Sequence, residues 1–232
     1  MAHEDIYTKF MIDYDKANVT SSYPSLTKYE VATILDKAYN ALIAQKVTGN
    51  NIRRAYFEAD TKAISDIAPL VKFSLLDVRY QYLNVTSFQL PTDFAYFVSA
   101  SLEYNMGKKK PMDGNIYRDV PVKLIPHNIV EKFIASSYNM PWIKNPVCCI
   151  EGGMVKVIYD PVDKPEVSSG HVKFIYVKQP KSFVENINNT STSFELSDTM
   201  ANELISLAVA FALDNVESTR LNSKLNMRGL EA

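Results

Sequence analysis

The stretch FELSDTMANELISLAVAFALDNVESTR, residues 194–220, constrains the fold of this chain more than any other. Between Leu204 and Leu213 its only polar residue is Ser206, and Glu203 and Asp214 close the run at its two ends. A membrane-spanning helix needs roughly 20 largely uncharged residues, so this run is read as a helix of a folded core. Leu196 precedes Ser197, a candidate cap, and Asp198 suits the first turn of a helix. Met200, Leu204, Leu207 and Phe211 make one stripe; Ala201, Ile205, Ala208, Ala212 and Val216 make the next. Val209, Ala210 and Leu213 carry apolar character further round. A helix lying on a surface needs one apolar stripe. This one has more, which leaves two readings: a central helix inside one subunit, or a helix shared with a neighbouring copy. Beyond it, NVESTRLNSKLNMRGLEA is polar, carries Arg220, Lys224 and Arg228, and reads as an arm that orders against a partner.

The N-terminal third has helical periodicity. Ile6, Phe10 and Tyr14 fall near one face of a helix over residues 3–16, which SYPSL interrupts. In LTKYEVATILDKAYNALIAQKV, Thr27 and Glu30 have capping-box spacing, Leu26 and Val31 can form a staple, and Val31, Ile34, Leu35, Ala38 and Leu42 form the buried stripe. Gly49 and Asn50 read as a stop, and residues 51–68 as a third helix ended before Pro69.

The middle of the chain changes period. VRYQYLNVT, FAYFVSASLEYN, MVKVIYDP and VKFIYVKQP are β-branched, aromatic and bounded by Pro, Gly or Asn, as strands are. In the second, strict alternation places Tyr96, Val98, Ala100, Leu102 and Tyr104 on the apolar face. The last two read as antiparallel neighbours around the loop 160–170, and residues 128–137 as a short helix. The expected fold class is therefore α+β: N-terminal helices and a long C-terminal helix packed together, with a small antiparallel β domain inserted between them. The expected parts are 1–69 helical, 70–184 β-rich, 185–220 linker and C-terminal helix, and 221–232 arm.

Catalytic signatures are absent. EGGMV and SSGH lack the context of a nucleotide-binding turn, and HExxH, EF-hand and GxSxG patterns do not occur. Cys148 and Cys149 are adjacent, a poor geometry for a bridge, and read as buried small hydrophobes before a turn. His3, His127 and His171 are scattered, so no metal site is expected, and spacing supports neither a Ser169/His171 nor a Cys149/His127 pair. An enzyme would need several of Cys149, His127, His171 and Asp160 to converge in a polar pocket. The opening MAHEDIYTKF has no basic segment followed by an apolar run, so no signal peptide is expected. A net charge of −1 argues against general binding to nucleic acid or anionic membranes. Lys108, Lys109 and Lys110 form a basic loop that could meet DNA or an acidic partner, and the irregular SSYNMPWIKNP places Tyr138, Trp142 and Lys144 where rings suit an interface.

LTKYEVATILDKAYNALI, LPTDFAYFVSASLEY, MPWIKNP and the final apolar helix ending in VESTR, in that order, resemble the head-to-tail connector proteins of tailed bacteriophages, most of all the ring proteins of crAss-like phages. The resemblance spans about residues 4–222. It implies a non-enzymatic virion protein without a cofactor, forming rings, commonly twelve-fold, at the portal vertex between capsid and tail. Its implied partners are further copies of itself, the portal protein, neighbouring ring or tail proteins and the double-stranded DNA in the lumen; a membrane is not among them. Residues 196–219 would form the ring-wall helix, with Met200, Leu204, Leu207, Ala208, Phe211 and Ala212 at its packed face. Residues 221–232 would dock to the portal or a neighbouring ring through Leu221, Lys224, Leu225, Met227 and Arg228. Leu90, Pro91 and Phe94 match a family-like LP..F at a sheet entrance, and the loop 142–146 would lie near a ring neighbour. Other virion roles (stopper, tail hub, tail completion) are the alternatives.

Overall fold

The computed structural model describes residues 1–17, 24–49, 61–82, 85–105, 117–135, 141, 145–159, 171–189 and 192–215. In chain order the elements are α1 (His3–Ala17), α2 (Lys28–Thr48), α3 (Thr61–Ile67), a 3-10 turn (Ala68–Leu70), β1 (Val71–Leu76), β2 (Val78–Tyr82), β3 (Val85–Gln89), β4 (Phe94–Asn105), β5 (Tyr117–Leu124), α4 (His127–Ala135), β6 (Val147–Glu151), β7 (Met154–Ile158), β8 (Val172–Lys178) and α5 (Asp198–Asn215). They divide into two compact units: Met1–Leu70 with Gln179–Ala232, and Val71–Lys178. None of the described helices is long and apolar enough to cross a membrane.

The first unit is helical and built from both ends of the chain. Its α2 starts where the sequence directs it to: Thr27 Oγ1 accepts the Glu30 N–H at 3.3 Å and Glu30 Oε2 accepts the Thr27 N–H at 2.7 Å, a complete capping box. It stops at Gly49, whose left-handed φ of 70° suits a residue without Cβ. Val31, Ile34, Leu35, Ala38 and Leu42 are all buried, joined by Ala32, Tyr39 and Ile43. Ser197 caps α5, its Oγ accepting the Met200 N–H at 3.3 Å. Ten residues of α5 are buried, and the helix packs against α1 and α2. Each large apolar side chain removed from water here contributes about 1.5–3 kcal/mol, and α5 and α2 bury comparable sets of them. The chain is closed by backbone: His3 N–H donates to Thr192 O at 3.0 Å and Phe194 N–H to Met1 O at 2.9 Å.

The second unit corrects the expected fold class. Strands dominate it: eight of them form a single curled, half-barrel sheet in the order β1-β8-β4-β5-β6-β7-β3-β2, in a mixed α/β chain with five helices among the described residues. It is neither small nor wholly antiparallel, since β5 and β6 pair in parallel through Lys123–Val147 and Leu124–Cys148. VRYQYLNVT, expected as one strand, spans β2 and the start of β3, which pair with each other. The strands β7 and β8, expected as neighbours, lie apart: β7 sits between β6 and β3, and β8 between β1 and β4.

The physical reasons lie in how the strands pair. Pro121 within β5 argues against a central strand. Here its nitrogen shares the parity of Lys123, whose N–H reaches Pro146 O across the β6 edge, and the β5–β6 ladder does not extend as far as Pro121. The strand β4 departs from simple alternation at two register shifts, Phe94/Tyr96 and Phe97/Ser99. Those bulges turn Phe97, paired with Tyr176, to the side of Ala100 and Leu102, so Phe94 and Phe97 join the core with Phe174 and Tyr176. The tight turn between β6 and β7 is Gly152–Gly153, with φ of 58° and 73°, the positive pair that a type I′ hairpin demands.

Candidate functional site

Two surfaces of the sheet unit carry side chains whose placement calls for a function. The first is the edge strand β1. Phe73 and Leu75 alternate onto one face and are 59% and 52% exposed. Their partners on β8 are Ile175 and Lys173. Beyond them the same face becomes charged, with Lys173 Nζ 2.7 Å from Asp119 and 3.1 Å from Glu103. An apolar end on an edge that no other described strand pairs with, beside a satisfied charged cluster, is a surface suited to another chain.

The second lies on the face of β6, β7 and β3 that α4 covers. Ile129, Val130 and Phe133 of α4 pack on Ile125, Val147 and Ile158, yet no residue of α4 is itself fully buried. The first residue of that helix is His127. Lys123 N–H bonds to Pro146 O at 3.1 Å and Ile125 N–H to Cys148 O at 2.9 Å; His127 Nε2 then reaches Ile150 O at 2.6 Å. The imidazole thus continues the parallel ladder where the backbone turns into α4. A carbonyl only accepts, so Nε2 carries the proton.

Cys149 and Glu151 alternate onto this same face of β6, and a ring nitrogen of His127, the Cys149 sulfur and a Glu151 oxygen lie within 4.8 Å of one another. They line a cleft of about 400 Å3 with Tyr80, Glu131 and Lys156. Lys156 Nζ is 2.6 Å from Glu151 Oε2 and holds that carboxyl below its ordinary range. Burial pushes the Cys149 thiol up, with Lys156 opposing and Glu151 reinforcing the shift. Burial also drives Cys148 up, to about 12. Both cysteines are buried free thiols whose pKa burial raises, unlike the low-pKa thiolates of nucleophilic sites.

Sequence spacing gave no support to a Cys149/His127 pair, but the fold brings the two together through the β5–α4–β6 crossover. His171 is not part of the group; it immediately precedes β8 and its Nδ1 lies 2.9 Å from Asp77 Oδ1. Of the residues assigned to the wall helix, Met200, Leu204, Leu207, Ala208 and Ala212 are buried within the chain, and Phe211 is half-buried with Lys37 Nζ 4.9 Å from its ring centroid. Leu90 is buried, and Phe94 N–H donates to Pro91 O at 3.2 Å as β4 begins. Lys108, Lys109, Lys110, Tyr138, Trp142, Lys144, Asp160, Leu221, Lys224, Leu225, Met227 and Arg228 lie outside the described residues. No protein-family model matches the chain, and no curated protein matches it.

Proposed function

We propose that the chain is a non-enzymatic structural subunit of a phage head-to-tail connector ring, placed at the portal vertex, extending the portal DNA channel and giving the tail its platform. The observation that carries the reading furthest is the edge strand β1. Closed rings form through heterologous contacts, in which two different surfaces of each subunit meet. The curled sheet is open, ending in β1 on one side and β2 on the other, and β1 exposes Phe73 and Leu75 at its edge. A second copy that covers β1 hides those side chains and supplies the contact. The resemblance of the N-terminal helical segment, the β4 region and α5 to connector proteins supports the same reading. So does the near-neutral charge, since a channel through which DNA slides should not grip it.

In this assignment α5 stiffens the wall from within the subunit, because its apolar residues are already occupied by α1 and α2. Mass photometry of the purified protein, alone and with portal protein, is the test. A cyclic oligomer is the expected result. A strict monomer in both conditions counts against the ring. Localising the protein in intact particles then separates a connector ring from a stopper, tail hub or tail-completion protein.

A further inference from the structure

We infer that His127, Cys149 and Glu151 form a binding site for a zinc-like divalent cation that pins α4 to the sheet. The group combines imidazole nitrogen, sulfur and carboxylate oxygen, one of each. Sulfur disfavours magnesium and calcium, whereas mixed nitrogen and sulfur donors suit zinc and its spectroscopic substitute cobalt. Tetrahedral zinc, with bonds of 2.0–2.3 Å, sets its donors about 3.5 Å apart. A ring nitrogen of His127, the Cys149 sulfur and a Glu151 oxygen already lie within 4.8 Å of one another, and rotation of the imidazole and of the 55% exposed Glu151 side chain closes the rest. Lys156 engages Oε2 of that carboxylate, which leaves Oε1 for a cation.

The hydrogen bond from His127 Nε2 to Ile150 O is the independent sign. Ligating histidines commonly donate one ring N–H to a backbone carbonyl, which fixes the tautomer and leaves the other nitrogen with the lone pair. In the neutral ring that nitrogen is Nδ1. The cleft admits water as a fourth ligand, and the thiol proton passes to solvent when sulfur binds. The consequence is mechanical. No residue of α4 is fully buried, so three apolar side chains and the His127 bond hold it in place. A metal would tie its first turn to β6 covalently, whether or not the chain assembles into a ring.

Cobalt(II) titration of the full chain tests this. The expected result is a stoichiometric thiolate-to-cobalt charge-transfer band in the near ultraviolet, displaced by zinc. Cys149→Ser abolishes the band and Cys148→Ala keeps it. His127→Gln and Glu151→Gln each weaken binding by at least about tenfold, the scale on which even residues behind the ligands act. Lys156→Met, which removes the competing cation, tightens it. Zinc also slows amide exchange across residues 127–135 in the wild type. A wild type that gives no thiolate band at one equivalent, or a band that survives in Cys149→Ser, overturns the site. Because the variants act in different directions, a single one that fails to fold does not decide the result.

Discussion

Asp36, in the middle of α2, accepts the backbone N–H of Phe183 at 2.7 Å. The same carboxylate accepts the Ser182 hydroxyl at 2.6 Å and the Val184 N–H at 3.2 Å. It therefore binds the returning chain to the N-terminal helices at the point where Phe183 stacks on His3, with ring centroids 4.2 Å apart. Hydrogen bonds to a charged group are worth about 1.5–3 kcal/mol, and donors left without a partner add to the loss. Asp36→Ala is expected to lower stability by about 2–3 kcal/mol, read as a lower urea midpoint. Asp36→Asn keeps one acceptor oxygen and should lose less.

The inside of α5 is tested by a pair of substitutions one turn apart. Leu207 is 2% exposed, so Leu207→Asp buries a charge without a partner and should unfold or aggregate the protein. Phe211 is half-buried below Lys37. Phe211→Asp forfeits a cation–π contact of about 0.5–1 kcal/mol plus some packing, but leaves a carboxylate close to a lysine. Circular dichroism and thermal melts should show a folded Phe211→Asp and a lost Leu207→Asp. Equal damage from both would mean that α5 is enclosed on the Phe211 side as well.

How much of this was legible in the sequence differs between the two units. The capping box at Thr27, the stop at Gly49 and the all-round apolar character of α5 are local signals, and local hydrogen bonds and burial enforce them. The sheet was under-read because its signals are not local. Two bulges break the alternation of β4, Pro121 is tolerated in β5 only because its β6 side lacks a partner there, and Val147, Cys148 and Cys149 are buried in succession on both faces of β6. The pairing of β7 with β3 and of β8 with β1 depends on long-range closure that periodicity does not encode. The His127, Cys149 and Glu151 group was missed for the same reason. The one available hint was the i, i+2 spacing of Cys149 and Glu151, which in a strand puts both on one face.

Lys46 makes a pH-dependent contribution. Its Nζ is 3.0 Å from Glu203 and 3.1 Å from Asp66, and the three side chains are 13%, 16% and 9% exposed. Burial pushes the Lys46 pKa down, but its hydrogen bonds to Glu203 and Asp66 outweigh burial and hold it above the ordinary lysine value. The unfolded chain thus releases this proton at lower pH than the folded one. The stabilisation is fully present below the ordinary lysine value and is lost as pH rises through the raised one. Lys46→Met leaves the buried Asp66 without its cation and Glu203 with Lys62 3.8 Å away, and should cost about 3 kcal/mol at neutral pH. Urea midpoints of both proteins between about pH 8 and about pH 12 should converge at the alkaline end. Comparison with the variant cancels the titration of the other lysines and the tyrosines.

The edge of β1 provides the assembly prediction. Phe73→Lys places a charge on an exposed edge, a device by which sheet proteins avoid edge-to-edge pairing. Leu75→Glu sits directly across from Lys173, so the new carboxylate has a cation opposite it that it shares with Asp119 and Glu103. Both positions are more than half exposed, and neither substitution opens a cavity. The double variant should keep the wild-type stability to within about 0.5 kcal/mol, as surface changes typically do, read as a nearly unchanged melting temperature. Its oligomer should fall apart in mass photometry at concentrations where the wild type remains assembled. An assembled double variant with unchanged mass would assign the subunit contact to another surface, and an unfolded one would mean that β1 packs more tightly than its exposure indicates.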